Sequence, residues 1–354
     1  MKKLLIAIAA IALLASCSKS DITYDGPKEI GIAPVAQNRT KAMVQGTAFP
    51  QENFALWAYY KQLTAGTTIA AWQSSAETQQ TYIENKDFEP SGTAGLWSGV
   101  TTYFWPKIGS LLFAGYYPVT MKDKVTYEFS STVNKMTVAG YTPGDYQTTG
   151  FVNNANGADH VEDFMYFNMT ATSSDGSTVG GQNSVTEGSQ VDVFFRHALS
   201  WISVVLSEAA GTPEGATITV KSVTFTDVKT TGTGVVDNSA TDNEIVWTPT
   251  DAKTDVVVLN TDTKLGDAAT VEKQPVVIPQ TMSGDLVIVY TISSEDGSSF
   301  TETKTISLAS IDSENSLWEP GKKYTYNISI GTTEILIDPI ILDWEEVPAQ
   351  IPVQ

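Results

Sequence analysis

The sequence predicts an all-β protein made of two tandem β-sandwich domains. Apolar and polar residues alternate with a period of two through most of the chain, in short runs that end at Gly, Asn, Asp, Ser or Pro. This alternation is typical of half-buried antiparallel strands, and helical periodicity is almost absent. With 354 residues, the chain is also longer than one typical domain and can bury a large core.

The N-terminus has the three parts of a secretory signal peptide. Met1, Lys2 and Lys3 form a basic start, and residues 4–15 form an apolar run that is too short to cross a bilayer. Small residues then precede Cys17, the only cysteine of the chain, in an order that resembles a bacterial lipobox. We expect a signal peptide over residues 1–16 and lipidation of Cys17. The alternative is ordinary secretory cleavage with an incidental cysteine.

Four later segments illustrate the predicted strands. Residues 54–60 are apolar at both alternating sets of positions, which suits a strand covered on both faces. Residues 191–197 place Val191, Val193 and Phe195 on one face, and residues 285–292 and 324–330 alternate in the same way. Asp296 and Gly297 predict a hairpin turn, because glycine supplies the positive φ that a tight reversal requires.

A long polar segment divides the chain. Residues 173–190 carry few apolar side chains, and this composition is typical of a link between domains. We place the boundary near residue 185. The resulting N-terminal domain spans residues 40–185, and the C-terminal domain spans residues 186–332.

Charge and composition exclude several function classes. The chain has 21 Lys and Arg residues against 40 Asp and Glu residues, a net charge of −19. Nucleic acid is not an expected partner, because binding to a phosphate backbone needs a cationic surface. The same charge repels anionic membrane surfaces, so membrane attachment must come from the lipid on Cys17.

The sequence carries no recognisable catalytic motif. It lacks a nucleophile elbow, a phosphate-binding loop and a paired-histidine metal motif. Of the two histidines, His160 and His197, the second is expected to be a core residue with a backbone partner rather than a general base. A calcium loop at residues 152–157, with Asp163 further on, is weakened by Val152, which has no side-chain oxygen. We therefore expect no enzyme activity, metal or cofactor.

Five segments, taken in order along the chain, carry a family resemblance. They are residues 102–118, with a Trp-Pro strand and an aromatic strand ending in Tyr-Pro, and residues 163–167, 191–206, 275–281 and 318–330. With the lipobox and Asp343-Trp344, they resemble the fimbrillins, the lipoprotein precursors of type V pili and related surface proteins of Gram-negative anaerobes. The resemblance implies two transthyretin-like β-sandwich domains and a surface fimbria that serves adhesion.

The resemblance also implies a maturation step. In pilin members of the family, an arginine-specific protease cuts after export and releases the first strand. Arg39, one of two arginines in the chain, is the corresponding site, so the mature chain would begin at Thr40 and residues 17–39 would form a propeptide. Within this propeptide, residues 29–36 predict a detachable strand with Ile30 and Ile32 facing inward. Pro34 should confine that strand to a sheet edge or a strand end.

The C-terminal segment, residues 333–354, is the candidate donor strand for the groove that the first strand leaves open. The candidate donor residues are Ile335, Ile337, Ile340, Leu342 and Trp344. Asp338-Pro339 is expected to interrupt their alternation. Insertion into another copy would gain ladder hydrogen bonds and apolar burial.

The expected partners are other fimbrillin subunits, the arginine-specific protease and, before processing, the outer membrane through the lipid. The processed chain would lie in an extracellular fimbrium. Alternatively, Arg39 lies in an uncut linker and the C-terminal strand closes its own domain, as in a non-polymerising outer-membrane lipoprotein or a pilus anchor or tip accessory. A third alternative is a carbohydrate-binding module in which Trp72 and Trp97 stack on sugars, although tryptophan is more often packed in a core.

Overall fold

The computed structural model describes residues 28–36, 49–63, 67, 69–106, 108–143, 163–167, 191–237, 244–266, 269–270, 275–311 and 316–343. Within these ranges the chain is almost entirely β-strand, which confirms the predicted all-β class. The helical elements are short: α1 is Ile69–Ser74, α2 is Leu308–Ile311, and a 3-10 turn spans Val119–Met121. None of the helices in the described ranges has the length and apolarity needed to cross a membrane.

Seven strands close into a barrel. In spatial order they are β1 (Gly31–Ala36), β4 (Trp97–Gly99), β3 (Gln80–Pro90), β2 (Phe54–Lys61), β5 (Ser110–Tyr117), β8 (Met165–Phe167) and β9 (Val191–His197). The ring closes because β9 pairs in parallel with β1, whereas the other neighbours pair antiparallel. The sequence predicts a sandwich in this region. The barrel forms instead because β1 has a partner on each of its edges.

A four-stranded sheet covers one side of the barrel. Its order is β13 (Ile245–Pro249), β12 (Gly232–Asp237), β7 (Asn134–Tyr141) and β6 (Val125–Phe129). Strand β2 lies between two cores, since Phe54 and Leu56 face the barrel interior while Trp57 packs in the cluster shared with the covering sheet. The prediction that residues 54–60 form a strand covered on both faces is therefore confirmed.

Two five-stranded sheets enclose the second large core. The first contains β16 (Ala269–Thr270), β10 (Ser200–Glu208), β22 (Lys322–Ile330) and β23 (Ile335–Asp343), with β17 (Val276–Val277) also on β10. The second contains β14 (Lys253–Leu259), β11 (Thr217–Lys229), β19 (Asp285–Ser293) and β20 (Ser299–Ser307), with β15 (Thr263–Lys264) also on β11. Their facing side chains form one apolar cluster. A small ribbon pairs β18 (Gln280–Thr281) with β21 (Leu317–Trp318).

The predicted turn between β19 and β20 is confirmed. The two strands pair antiparallel from Asp285 to Ser293, and Gly297 adopts a φ of 85° at the reversal. The Asp296 carboxylate accepts hydrogen bonds from the Ser298 amide at 2.9 Å and the Ser298 hydroxyl at 2.6 Å. These bonds to the ionised form lower the pKa of Asp296.

Strand pairing crosses the expected domain boundary. Strand β9 lies C-terminal to residue 185 but belongs to the barrel, and β12 pairs with β7 from the N-terminal half. Residue 185 itself lies outside the described ranges. The division into residues 40–185 and 186–332 stays a prediction.

Candidate strand-exchange site

The first strand is part of the barrel wall and points two side chains into the barrel core, as its alternation predicts. Ile30 and Ile32 are both 0% exposed and pack in the aromatic-rich barrel cluster with Phe54 and Phe195. Backbone hydrogen bonds extend the attachment beyond β1, because the Ile30 amide donates to Tyr103 O at 2.8 Å. The inward orientation of the two isoleucines is confirmed.

Strand β1 is not an edge strand along its whole length. Gly31 and Ile32 pair antiparallel with β4, and the stretch from Ile32 to Ala36 pairs in parallel with β9. Pro34 lies beyond the pairs with β4, where only the β9 side has a ladder among the described residues. The strand is therefore paired on both sides only at its start, and Pro34 lies in the part that is paired on one side, where a proline is tolerated.

The C-terminal strand is an edge strand. Strand β23 forms nine residue pairs with β22, from Ile335 opposite Ile330 to Asp343 opposite Lys322. Its other edge has no strand partner within the part of the chain that the structure describes. At the strand end, Lys322 Nζ donates to Asp343 Oδ1 at 2.5 Å. The edge of β23 thus presents free backbone groups for another strand.

The expected interruption at Asp338-Pro339 is wrong. Asp338 pairs with Asn327 and Pro339 with Tyr326, so β23 runs without a break. The alternation is not reset, because an edge strand tolerates proline. The candidate donor residues consequently divide between two faces of the strand.

The inner face of β23 packs on the C-terminal core. Ile335, Ile337 and Ile341 are partly buried against it, and Ile341 was absent from the predicted set. Simple period-two counting through Pro339 would have found Ile341. All three isoleucines keep part of their surface exposed, so the inner face is not completely buried.

The outer face of β23 carries three exposed apolar side chains, with Asp338 exposed among them. Leu336, Ile340 and Leu342 are 56%, 43% and 59% exposed. Their partners on β22 are polar or charged, since Ser329 lies opposite Leu336 and Thr325 lies opposite Ile340. The outer apolar surface is therefore a property of the edge strand and does not continue onto β22.

Strand β22 is fixed independently of β23. The Tyr326 hydroxyl accepts a hydrogen bond from Trp318 Nε1 at 2.8 Å, and the Tyr324 hydroxyl donates to Leu317 O at 2.9 Å. On its other edge, β22 pairs with β10 along its full length. These contacts hold β22 in place without any contribution from β23.

The maturation residues are outside the described ranges. Cys17, Arg39, Thr40 and Trp344 all belong to this group. Lipidation at Cys17, cleavage after Arg39 and a donor role for Trp344 stay predictions.

His197 is a buried residue, as expected. Its Nδ1 hydrogen-bonds to the Asp163 carboxylate at Oδ2, a partner that the sequence did not predict. Asp163 was considered as a calcium ligand, and the residues 152–157 of that loop lie outside the described ranges. Across the described residues, no three His, Cys, Asp or Glu side chains are grouped as metal ligands.

The two tryptophans considered for sugar stacking are core residues. Trp72 is 0% exposed and donates from Nε1 to Ser110 Oγ at 2.8 Å. Trp97 is 1% exposed and donates from Nε1 to Glu52 O at 3.0 Å. Neither ring face is open to a ligand, so these residues give no support to a carbohydrate-binding module.

Comparison with solved structures finds the same overall fold in a fimbrial protein from Bacteroides vulgatus. That protein is 16% identical with a TM-score of 0.59, and the alignment covers 90% of this chain and 100% of the other. A candidate cell adhesion protein from Bacteroides uniformis is 17% identical, with a TM-score of 0.46 and coverage of 91% and 99%. The C-terminally truncated tip fimbrial protein Mfa3 from Porphyromonas gingivalis is 9% identical, with a TM-score of 0.37 and coverage of 89% and 100%.

The comparison with protein families confirms the resemblance to fimbrillins. No match was found among curated proteins. The family described as fimbrillin-like matches residues 58–344, which is most of the chain. The protein belongs to the fimbrillin-like family.

Proposed function

We propose that this protein is a structural subunit of a surface fimbria that serves adhesion. It is exported as a lipoprotein, matured by cleavage after Arg39 and assembled by donation of β23 to another subunit. The role requires no catalysis and no cofactor. Family membership supports a fimbrial role, and the edge strand β23, which carries apolar side chains on both faces, supports assembly.

The observation that carries this proposal is that β23 has apolar side chains on both of its faces. A sheet with one solvated face normally alternates apolar and polar residues, and β22 does so with Thr325, Asn327 and Ser329 on its outer face. Strand β23 instead exposes leucine and isoleucine on that face. Long apolar edge strands promote strand pairing with other chains, and proteins usually avoid or cover them. Donation to a second subunit covers this edge strand.

Burial of the outer apolar side chains would favour assembly. Leu336, Ile340 and Leu342 are about half exposed, so covering the rest of each side chain stabilises by roughly 1 kcal/mol. The backbone of β23 would also form ladder hydrogen bonds with strands of the acceptor. Together these terms favour a specific strand exchange between copies.

Cleavage after Arg39 would permit the exchange. In the uncut chain, β1 is tethered to the barrel that it fills, so it has a high effective concentration there. After the cut, non-covalent contacts alone would retain β1, and an incoming strand could replace it. The lipid on Cys17 leaves with the same fragment, which would release the subunit from the outer membrane.

A second candidate is an outer-membrane anchor or accessory subunit that keeps its first strand. The observation in its favour is the pairing of β1 on both edges, which gives a complete barrel without a donor. This subunit would retain both β1 and the lipid. The N-terminus of the native protein separates the two candidates.

The experiment determines the N-terminus of the native protein by mass spectrometry, on fimbriae sheared from cells and on the membrane fraction. Sheared material that begins at Thr40 supports the polymerising subunit, whereas an acylated Cys17 start in all fractions identifies the anchor. Arg39→Ala should abolish the Thr40 species. Lys41→Ala serves as the matched control, because it removes the neighbouring cation and leaves the arginine site.

A further inference from the structure

Strands β1 and β23 carry the same short motif. Residues 29–36 read EIGIAPVA, and residues 334–341 read EILIDPII. Glu, Ile, Ile and Pro recur at the same four of eight positions. One copy fills the barrel core and the other forms the free edge of the C-terminal sheet.

We infer that β23 of a second copy occupies the place of β1 in one defined register. Glu334 takes the position of Glu29, Ile335 that of Ile30, and Ile337 that of Ile32. This inference rests on the proposed function and specifies which residues of the donor enter which positions of the acceptor. In this register, residues 334–341 form one continuous alternation, whereas the sequence predicts two alternating halves separated by Asp338-Pro339.

Side-chain orientation agrees with this register. Ile30, Ile32 and Pro34 occupy alternate positions of the first strand and are buried. Ile335, Ile337 and Pro339 share one face of β23 in the same way, and all three are only partly buried there. In the acceptor, the two isoleucines would become fully buried, as Ile30 and Ile32 are. The exchange therefore gains apolar burial for the same side chains.

Backbone pairing gives the donor an orientation. The vacated position lies between β4, which is antiparallel to β1, and β9, which is parallel to it. Gly31 pairs with Ser98, and Ile32 pairs with both Trp97 and Val191. The donor therefore runs parallel to β9, with Leu336 opposite Ser98. There it would form two short ladders, with two pairs to β4 and five to β9, in place of the nine pairs that it has on β22, so the apolar burial and not the ladder favours the exchange.

The two motif copies differ at two positions where the fit of β23 to the position of β1 can be examined. A Cβ at Gly31 would lie 2.9 Å from Leu96 Cδ1, the end of a flexible side chain, so Leu336 requires Leu96 to move. Asp338 would replace Ala33, which is 5% exposed. A buried carboxylate is unfavourable, so Asp338 is the one motif position that opposes the exchange.

Engineered cysteines test the register in fimbriae assembled by cells. Cys17 is the only natural cysteine, so new thiols give little background. The test variant combines Ser98→Cys with Leu336→Cys, which the register places directly opposite each other. The matched control combines Ser98→Cys with Leu342→Cys, because Leu342 lies on the same outer face and is similarly exposed, at 59% against 56%. Each single variant must assemble as the unmodified chain does.

Sheared fimbriae are treated with a mild oxidant, boiled in SDS without reductant and separated by size. We expect reductant-sensitive dimers and larger species from the Leu336 pair, and roughly tenfold less from the Leu342 pair, since cysteines whose Cα atoms are more than about 7 Å apart do not bridge. Polymers that cross-link through Leu342, or through neither leucine, would overturn the register and leave the fimbrial role standing. Absence of polymer from the unmodified chain would overturn the proposed function itself.

Discussion

Alanine substitution at the second isoleucine of each motif copy compares the two environments directly. Ile32 is fully buried in the barrel, whereas Ile337 is partly buried at the sheet edge. Ile32→Ala should destabilise the barrel by about 2–5 kcal/mol, the range for buried aliphatic residues. Ile337→Ala should cost roughly half as much in the monomer, because less surface is withdrawn from water there.

Hydrogen exchange read by mass spectrometry measures the two effects locally. Since every 1.4 kcal/mol corresponds to a factor of ten, Ile32→Ala should accelerate exchange in peptides from β1 and β9 by about thirtyfold or more. Ile337→Ala should accelerate exchange in β22 and β23 by about five- to sixtyfold. A change at Ile32 that is no larger than the change at Ile337 would refute the burial argument.

The order of the two effects should change in assembled fimbriae. The proposed register moves Ile337 into the position of Ile32, so Ile337→Ala should then cost the full amount for a buried aliphatic residue. The temperature at which SDS-resistant ladders dissociate reports this cost. Ile340→Ala, on the outer face, is the control and should lower that temperature less. Equal losses from the two substitutions would contradict the assignment of the inner face.

Three further predictions follow from individual contacts. Asp338→Ala should raise the dissociation temperature of the ladders, because it removes the one carboxylate that the register places at a buried position; an unchanged or lower temperature would contradict the register at this residue. Lys61→Met should lower the melting temperature, because Lys61 Nζ donates to Trp72 O at 2.8 Å and to Gln73 O at 3.1 Å. Unsatisfied buried groups cost about 1–3 kcal/mol each. The control is Lys122→Met, which removes an exposed ion pair. Burial and the neighbouring Glu84 raise the pKa of Tyr59 to about 12 from 10.0. The contribution of Tyr59 to stability is therefore full below pH 10 and is lost as the pH rises to 12. Urea unfolding across that range checks the sign, and Tyr59→Phe should weaken the dependence of stability on pH.

Local patterns predicted the elements of this fold well, because they depend on period and turn chemistry. Residues 54–60 showed from sequence that β2 is covered on both faces, and Gly297 showed the reversal between β19 and β20. Barrel closure was not predictable in this way. It depends on a parallel pairing of β1 with β9, which are separated by most of the N-terminal half, and alternation within a strand says nothing about its partner.

The C-terminal strand departs from the sequence prediction at one point. The alternation predicts a break at Asp338-Pro339, yet proline is compatible with an edge strand, and Ile341 rather than Ile340 faces the core. His197 similarly lies in the core, but its carboxylate partner Asp163 is 34 residues away and was not predictable from spacing. The motif shared by residues 29–36 and 334–341 was visible in the sequence, but only the structure places one copy in a closed barrel and the other on a free edge.

The shared motif also explains how one strand can serve two states of the same chain. A donor that packed perfectly on its own sheet would have no reason to leave, and one that did not pack at all would expose an apolar segment during export. Strand β23 meets both requirements, because Ile335 and Ile337 are partly buried and one of its edges is paired. The position of β1 offers the two isoleucines complete burial, as it does for Ile30 and Ile32. The free energy of assembly therefore comes from the difference between two sites for one motif, and strengthening β23 on its own sheet should slow assembly.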